Sequence, residues 1–239
     1  MKGRAPREES LWAVQPLEER QSVERRVARS LRESIVSGGL REGTPLVHRA
    51  LAERLGVSPT PVRAVLGQLE REGLVAIAPT GRAAVSRLTR EDFEEVYAAR
   101  LGLEGLAARL GAEAVGPGEL TQMRELLQEL RELAREGAVD EYLRARWRLH
   151  SVCYAATGRG RLLLEVERLF WRAERYNRLV LSDPARFSRS IEHYVAFLAA
   201  CEAHDGSAAE RVIRKSVAWA MALLADTLPS ERAGQCSVS

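Results

Sequence analysis

The chain has 239 residues, 46% of them hydrophobic and 29% charged, with a formal net charge of +3. It is too apolar for a disordered chain, has no run of about 18 uncharged apolar residues to span a bilayer, and opens on the polar stretch Met1–Ser10 instead of the apolar core of a secretory leader. Three cysteines (Cys153, Cys201 and Cys236) with no CxxC pair exclude a disulfide scaffold and point to a reducing, cytoplasmic setting.

The charge is uneven along the chain. Residues 1–88 hold 15 Lys+Arg against 10 Asp+Glu, and residues 89–239 hold 21 against 23. A basic first third on a near-neutral body is the balance of a nucleic-acid-binding module joined to a second domain.

Residues 1–20 contain Pro6 and Pro16 and no apolar period, which reads as an arm. From Ser22 the recurrence of Val23, Val27, Leu31 and Ile35 predicts a helix that Gly38-Gly39 ends. After a turn through Gly43-Thr44-Pro45, a short helix runs from His48 to Leu55 and stops at Gly56. Ser58 is placed to cap a third helix with Pro59 in its first turn, a buried face of Val62, Val65, Leu66 and Leu69, and a stop at Gly73. The period then shortens: residues 74–78 and 83–86 read as strands around a Pro79-Thr80-Gly81-Arg82 hairpin tip. Three helices followed by a hairpin make a winged helix-turn-helix over residues 21–88.

Everything after Thr89 reads as helix. Thr89 with Asp92 forms a capping-box variant. Breaks at Gly116-Pro117-Gly118, Gly137, Gly158-Arg159-Gly160, Ser182-Asp183-Pro184 and His204-Asp205-Gly206 divide residues 89–229 into an antiparallel bundle of six to seven helices. Residues 230–239 read as a tail. The predicted fold is therefore mainly α, an N-terminal winged helix-turn-helix plus a C-terminal helical bundle.

In a helix-turn-helix the second helix of the motif enters the major groove and its N-terminal residues meet base edges. Here that places Arg63 opposite the Val62/Val65/Leu66 core face, within reach of guanine or phosphate. Ser58 and Thr60 can offer hydroxyls to phosphate, Arg49 sits over the groove edge, and Gly81-Arg82 can enter the adjacent minor groove. Each alone fits an ordinary surface, cap or turn residue; their joint placement in one unit carries the DNA reading. No Walker loop or GxSxG motif is present, and the apolar setting of Cys153 makes the His150-x-x-Cys153 pair a buried thiol instead of a nucleophile.

The same residues resemble the GntR family of bacterial transcription regulators. The resemblance covers about residues 22–88 and rests on Leu51-Ala52-Glu53-x-Leu55-Gly56-Val57-Ser58-x-Thr60-Pro61-Val62-Arg63, on Glu72-Gly73-Leu74-Val75, and on Gly81 and Val85. The family commonly has Arg where this chain has Pro59, so Arg63 and Arg49 must carry more of the recognition. Residues 92–229 resemble the all-helical effector domain of the FadR-type branch, through Tyr97-x-x-Arg100-x-x-x-Glu104, Leu149-His150, Glu192-His193 and Asp205. That resemblance implies a homodimer on a near-palindromic double-stranded operator and a pocket for a small carboxylate metabolite whose binding releases the DNA, the behaviour of a repressor. The alternative is a ligand-independent DNA-binding or architectural protein with a degenerate pocket.

Many members of that branch bind a divalent metal through an Asp and three His. Here the Asp position is Arg146, one turn before His150; His193 matches the second His, and the third falls at Lys215 or Ser216. Two imidazoles make a poor zinc site, which takes at least three protein ligands. Three readings follow: His150 and His193 are core histidines; they hold a metal such as zinc weakly; or Arg146, with Lys215, replaces the metal's charge and takes the ligand carboxylate directly, with Arg100, His150 and His193 lining the same cavity and Tyr176 and Asn177 as further polar liners. In the third, no cofactor is required.

Overall fold

The computed structural model describes residues 23–183, 185–224 and 228. The predicted arm at residues 1–20 and tail at 230–239, with Cys236, lie outside the described residues. Helices α1 (Val23–Val36), α2 (His48–Leu55) and α3 (Pro59–Arg71) precede strands β1 (Val75–Ile77) and β2 (Ala83–Val85). Six long helices follow: α4 (Arg90–Ala114), α5 (Pro117–Glu136), α6 (Val139–Ala156), α7 (Gly160–Val180), α8 (Ala185–Glu202) and α9 (Gly206–Leu224).

The first unit is held by one small core. Val27, Ala28, Leu31 and Ile35 of α1 pack on Val62, Val65, Leu66 and Leu69 of α3, with Leu74, Val75 and Val85 closing it. Val23, predicted to continue the α1 stripe, is 46% exposed among the described residues. The antiparallel hairpin pairs Val75 with Val85 and Ile77 with Ala83. Its tip closes through Gly81 N to Ala78 O at 2.8 Å, and Gly81 takes φ +78°, the left-handed region that suits glycine. The turn after α1 forms a third, unpredicted rung: Pro45 bridges Ala84, Val85 N donates to Thr44 O at 3.0 Å, and Leu46 N donates to Ala83 O at 2.8 Å.

Ser58 stands at the N-cap of α3 but makes no cap hydrogen bond, contrary to the sequence expectation. A capping side chain bonds the N–H of the second or third helical residue. The third is Pro61, which has no N–H, so half of the usual targets are missing.

In the second unit α4 runs the length of the bundle against α9, flanked by α6 and α7, while α5 packs on α6 and α8. Thr89 Oγ1 accepts from Asp92 N at 3.2 Å, the forward half of the predicted capping box. Asp205 caps α9 through Ala208 N at 2.8 Å. Gly111 of α4 faces the Cys153 backbone of α6 so closely that a Cβ there would run into the Cys153 carbonyl oxygen and Sγ. Cys153 and Cys201 are buried thiols 3.8 Å apart, and the hydrogen bond between them together with burial pushes the Cys153 thiol up, away from thiolate chemistry.

Replacing a mid-helix glycine by alanine usually stabilises by up to ~1 kcal/mol. Gly111→Ala reverses that sign: overpacking between α4 and α6 is expected to destabilise by ~1–3 kcal/mol, read from urea midpoints.

Candidate functional site

The predicted DNA-reading residues are all exposed on the first unit. Arg63, Ser58 and Thr60 are exposed on or beside the first turns of α3, Arg49 is exposed on α2, and Gly81 and Arg82 are exposed at the hairpin tip. The core face of α3 (Val62, Val65, Leu66, Leu69) is fully covered, so Arg63 projects away from the unit. A helix end with arginines and free hydroxyls, beside an arginine-tipped hairpin, can meet phosphates and base edges together.

The second unit holds a different kind of site. A cavity of about 20 Å³ is lined by Arg100, Arg146, Asn177, Ser190, Tyr194, Ser216 and Trp219, with apolar residues of α7 and α9. Five of the six helices contribute: α4 brings Arg100, α6 Arg146, α7 Asn177, α8 Ser190 and Tyr194, α9 Ser216 and Trp219. Arg100 is 3% and Arg146 8% exposed. Arg100 Nε donates to Glu104 Oε1 at 2.5 Å, and its guanidinium lies 4.7 Å over the Tyr97 ring. Arg146 shares the cavity lining with Tyr194, stacks 5.5 Å over Phe170, and has Glu174 as its nearest carboxylate, 3.9 Å away. Tyr97 donates to Asn177 Oδ1 at 2.9 Å, and Tyr142 donates to Ser190 Oγ at 2.8 Å.

Burial works against charge on both arginines, and the carboxylates and tyrosines around them outweigh it, so both stay cationic. Burial also pushes the Tyr97 hydroxyl up to about 12, so it remains a neutral donor. Arg100 Nη1, Arg146 Nε and Glu174 Oε2 are buried without a hydrogen-bond partner among the described residues. Such groups cost ~1–3 kcal/mol each when left unsatisfied. Two guanidinium groups with spare N–H donors around one polar cavity suit an anion, above all a carboxylate, whose two oxygens match the planar fork.

The histidines sit differently from the prediction. His150 is buried beside the cavity and not in its lining; its Nδ1 is 3.2 Å from the Tyr154 hydroxyl, and the two rings stack. His193 packs edge-on against Trp219, and neither of its ring nitrogens has a partner among the described residues. Burial, then the charge of Arg146 and Arg100, holds His150 well below the usual imidazole range; burial, then Arg189 and Lys215, lowers His193 to about 4. Among the described residues no three His, Cys, Asp or Glu side chains come together to hold a metal ion. The residues do not fit the divalent metal of the family pattern, because a guanidinium stands at the carboxylate position and repels a cation.

Lys215 is exposed on α9 and is corrected as a cavity residue; its neighbour Ser216, the other register, is the one that faces inward. Tyr176 also turns elsewhere: its hydroxyl donates to Asp92 Oδ2 at 2.7 Å and reaches Thr89 O at 3.3 Å, at the junction of the two units. Sequence reasoning missed Glu174, Ser190 and Tyr194. Their signal is polar residues on otherwise apolar inward stripes, Phe170-Ala173-Glu174-Asn177-Val180 on α7 and Ser190-His193-Tyr194-Phe197 on α8.

His193 binds a proton more weakly folded than unfolded, where its pKa is ~6.5, so its contribution to stability is complete above that value and falls as pH drops toward about 4. Thermal unfolding is expected to show this acid-side loss, and His193→Leu to remove part of it. Added zinc is expected to leave the melting temperature unchanged.

Comparison with known proteins agrees with both halves. The description "Bacterial regulatory proteins, gntR family" matches residues 23–85, and the FCD domain matches residues 95–218. The HTH-type transcriptional regulator McbR of Escherichia coli (strain K12) is 27% identical over 186 residues, 77% of this chain and 84% of McbR. A probable D-xylose utilization operon transcriptional repressor of Paenarthrobacter nicotinovorans is 28% identical over 77% of this chain and 80% of its own. The solved E. coli McbR/YncC structure superposes with a TM-score of 0.76 at 26% identity, covering 85% of this chain and 97% of that one. A DNA-reading first unit and a helical second unit with a buried polar cavity thus belong to one molecule of known kind: the chain is a member of the GntR family of bacterial transcriptional regulators, with an FCD effector domain behind its helix-turn-helix, and is a regulator and not an enzyme.

Proposed function

We propose that the chain is a dimeric, cytoplasmic repressor released from a near-palindromic operator by a small carboxylate bound between Arg100 and Arg146. The observation that carries this reading is the convergence of two buried guanidinium groups, each with an N–H lacking a partner among the described residues, on one cavity. Arg146 stands where the family pattern has a metal ligand, and it supplies the positive charge that the metal would bring.

The coupling route runs along α7. Glu174 and Asn177 face the arginines from this helix. Arg172 pairs with Asp92, Arg175 Nη2 donates to Ser86 O at 2.7 Å, and Tyr176 binds Thr89 and Asp92. Gly73, with φ +75°, leaves room for Arg172, whose Nε would lie 2.6 Å from a Cβ there. A ligand that shifts α7 therefore shifts the segment joining the two units. Coupling of this kind is worth ~1–3 kcal/mol. For the dimer, Ala99, Gly102 and Leu106 share an exposed face of α4, with Leu106 43% exposed. Pairing there sets two α3 helices on successive major-groove turns, ~34–36 Å apart.

A second reading, a ligand-independent DNA-binding protein, is favoured by the cavity's size: about 20 Å³ is room for roughly one water. Against it stand the unsatisfied guanidinium and carboxyl atoms, since a pocket that had lost its ligand would gain by replacing them with apolar side chains.

Arg146→Ala is expected to abolish carboxylate-induced thermal stabilisation, which reaches ~2.7 kcal/mol at 100 times Kd, and to spare DNA binding. Unchanged carboxylate affinity in that variant defeats the reading. Arg63→Ala is expected to cost ~1–3 kcal/mol of operator affinity, measured by anisotropy on a sequence selected from random DNA. Leu106→Glu is expected to turn the dimer into a monomer by light scattering.

A further inference from the structure

The two arginines of the cavity are neutralised in unlike ways. Arg100 holds Glu104 tightly, at 2.5 Å. Arg146 holds Glu174 loosely: Nη1 to Oε1 is 3.9 Å, the outer limit of an ion pair. Glu174 is 1% exposed, and both its Oε2 and Arg146 Nε lack hydrogen-bond partners among the described residues. Among the described residues its hydrogen-bond partner is Asn177 Nδ2, which donates to Oε1 at 3.3 Å. The tethered Glu174 carboxylate reaches Arg146 through one long contact, whereas a free carboxylate can take two N–H groups of the fork at once.

We propose that Glu174 is an internal stand-in for the effector, a tethered carboxyl that the ligand's carboxylate displaces from Arg146. This rests on the effector reading above and narrows it to short carboxylates, because the cavity beside Arg146 holds only about 20 Å³. Burial pushes Glu174 up, Arg146, Arg100 and the Asn177 amide pull it back, and it rests at about 7. A second carboxylate on Arg146 raises it further, so the tethered group takes up a proton as the ligand binds. The groups facing it are Tyr97, Arg100 and Glu104 from α4, Arg146 from α6 and Tyr194 from α8. Asp140 and Arg144 of α6 and Glu33 of α1 face it across a neighbouring cavity of about 50 Å³; α9 lines the arginine cavity with uncharged residues. Burial holds Tyr97 neutral, and Asp140 and Arg144 are paired with Arg178 and Glu141. That second cavity also carries Val36, the last residue of α1, and Ser37 just after it, so the displaced carboxyl moves toward the DNA-binding unit.

The test is calorimetric titration of the full-length protein and Glu174→Gln with acetate, glycolate, malonate and succinate at pH 6 and pH 8. For the wild type, affinity for the best of these is expected to fall about tenfold from pH 6 to pH 8, because the carboxyl must be reprotonated. Glu174→Gln is expected to bind more tightly than wild type at pH 8 and equally at both pH values. Wild-type titrations at pH 8 in two buffers of different ionisation enthalpy give a readout without any variant, with close to one proton expected to be taken up per ligand. A pH slope that persists in Glu174→Gln, weaker binding by that variant, or no proton uptake overturns the role of Glu174 and leaves the effector reading standing. No binding by either protein overturns both.

Discussion

Two guanidinium groups held inside a helical bundle are the constraint around which the effector unit is arranged. Arginine does not shed its proton under folding conditions, so burial must be offset by neighbours and not by titration. Glu104, Glu174, Tyr97, Tyr194 and Asn177 fill that role from α4, α7 and α8. Burial, and then the same positive field, keeps His150 neutral, and burial with Arg189 and Lys215 keeps His193 neutral. A pocket of this sign suits an anion better than a metal cation, and the guanidinium at position 146 is central to that balance. The histidines remain as aromatic packing against Tyr154 and Trp219.

Helix α7 connects this site to the rest of the molecule because successive residues on a helix point about 100° apart. Within the stretch 172–177, Glu174 and Asn177 turn to the arginines while Arg172, Arg175 and Tyr176 turn to the junction. Asp92 gathers that junction, accepting from Tyr176 and pairing with Arg172 while its backbone N–H is capped by Thr89. A rigid rod with a charged pair on each side needs no further relay.

The helix-turn-helix was legible in sequence because its punctuation is local: Gly56, Pro59 and Gly73 mark ends, and the apolar spacing between them marks faces. The six helices of the second unit were legible for the same reason. What escaped was what depends on contacts across the fold. The Thr44–Leu46 rung pairs with a strand about forty residues away, and no local pattern announces it. Lys215 and Ser216 differ by one step of helix rotation, which spacing alone does not fix. Glu174 looks like an ordinary surface acid until α7 is seen to bury it; only the polar break in an apolar stripe hinted otherwise.

The paired prolines at the start of α3 have a bearing on how this protein holds its operator. A helix N-terminus ordinarily offers several backbone N–H groups to a phosphate, a contact indifferent to base sequence. With Pro59 and Pro61 there, Thr60 contributes the one amide of the first three helical residues. In the interface proposed above, grip on the DNA backbone then comes from side chains, chiefly arginines on α2, α3 and the hairpin, and such contacts release counterions. Such a regulator reads its site through mobile cations instead of a fixed amide cradle, and its hold on DNA follows the ionic strength of its surroundings closely.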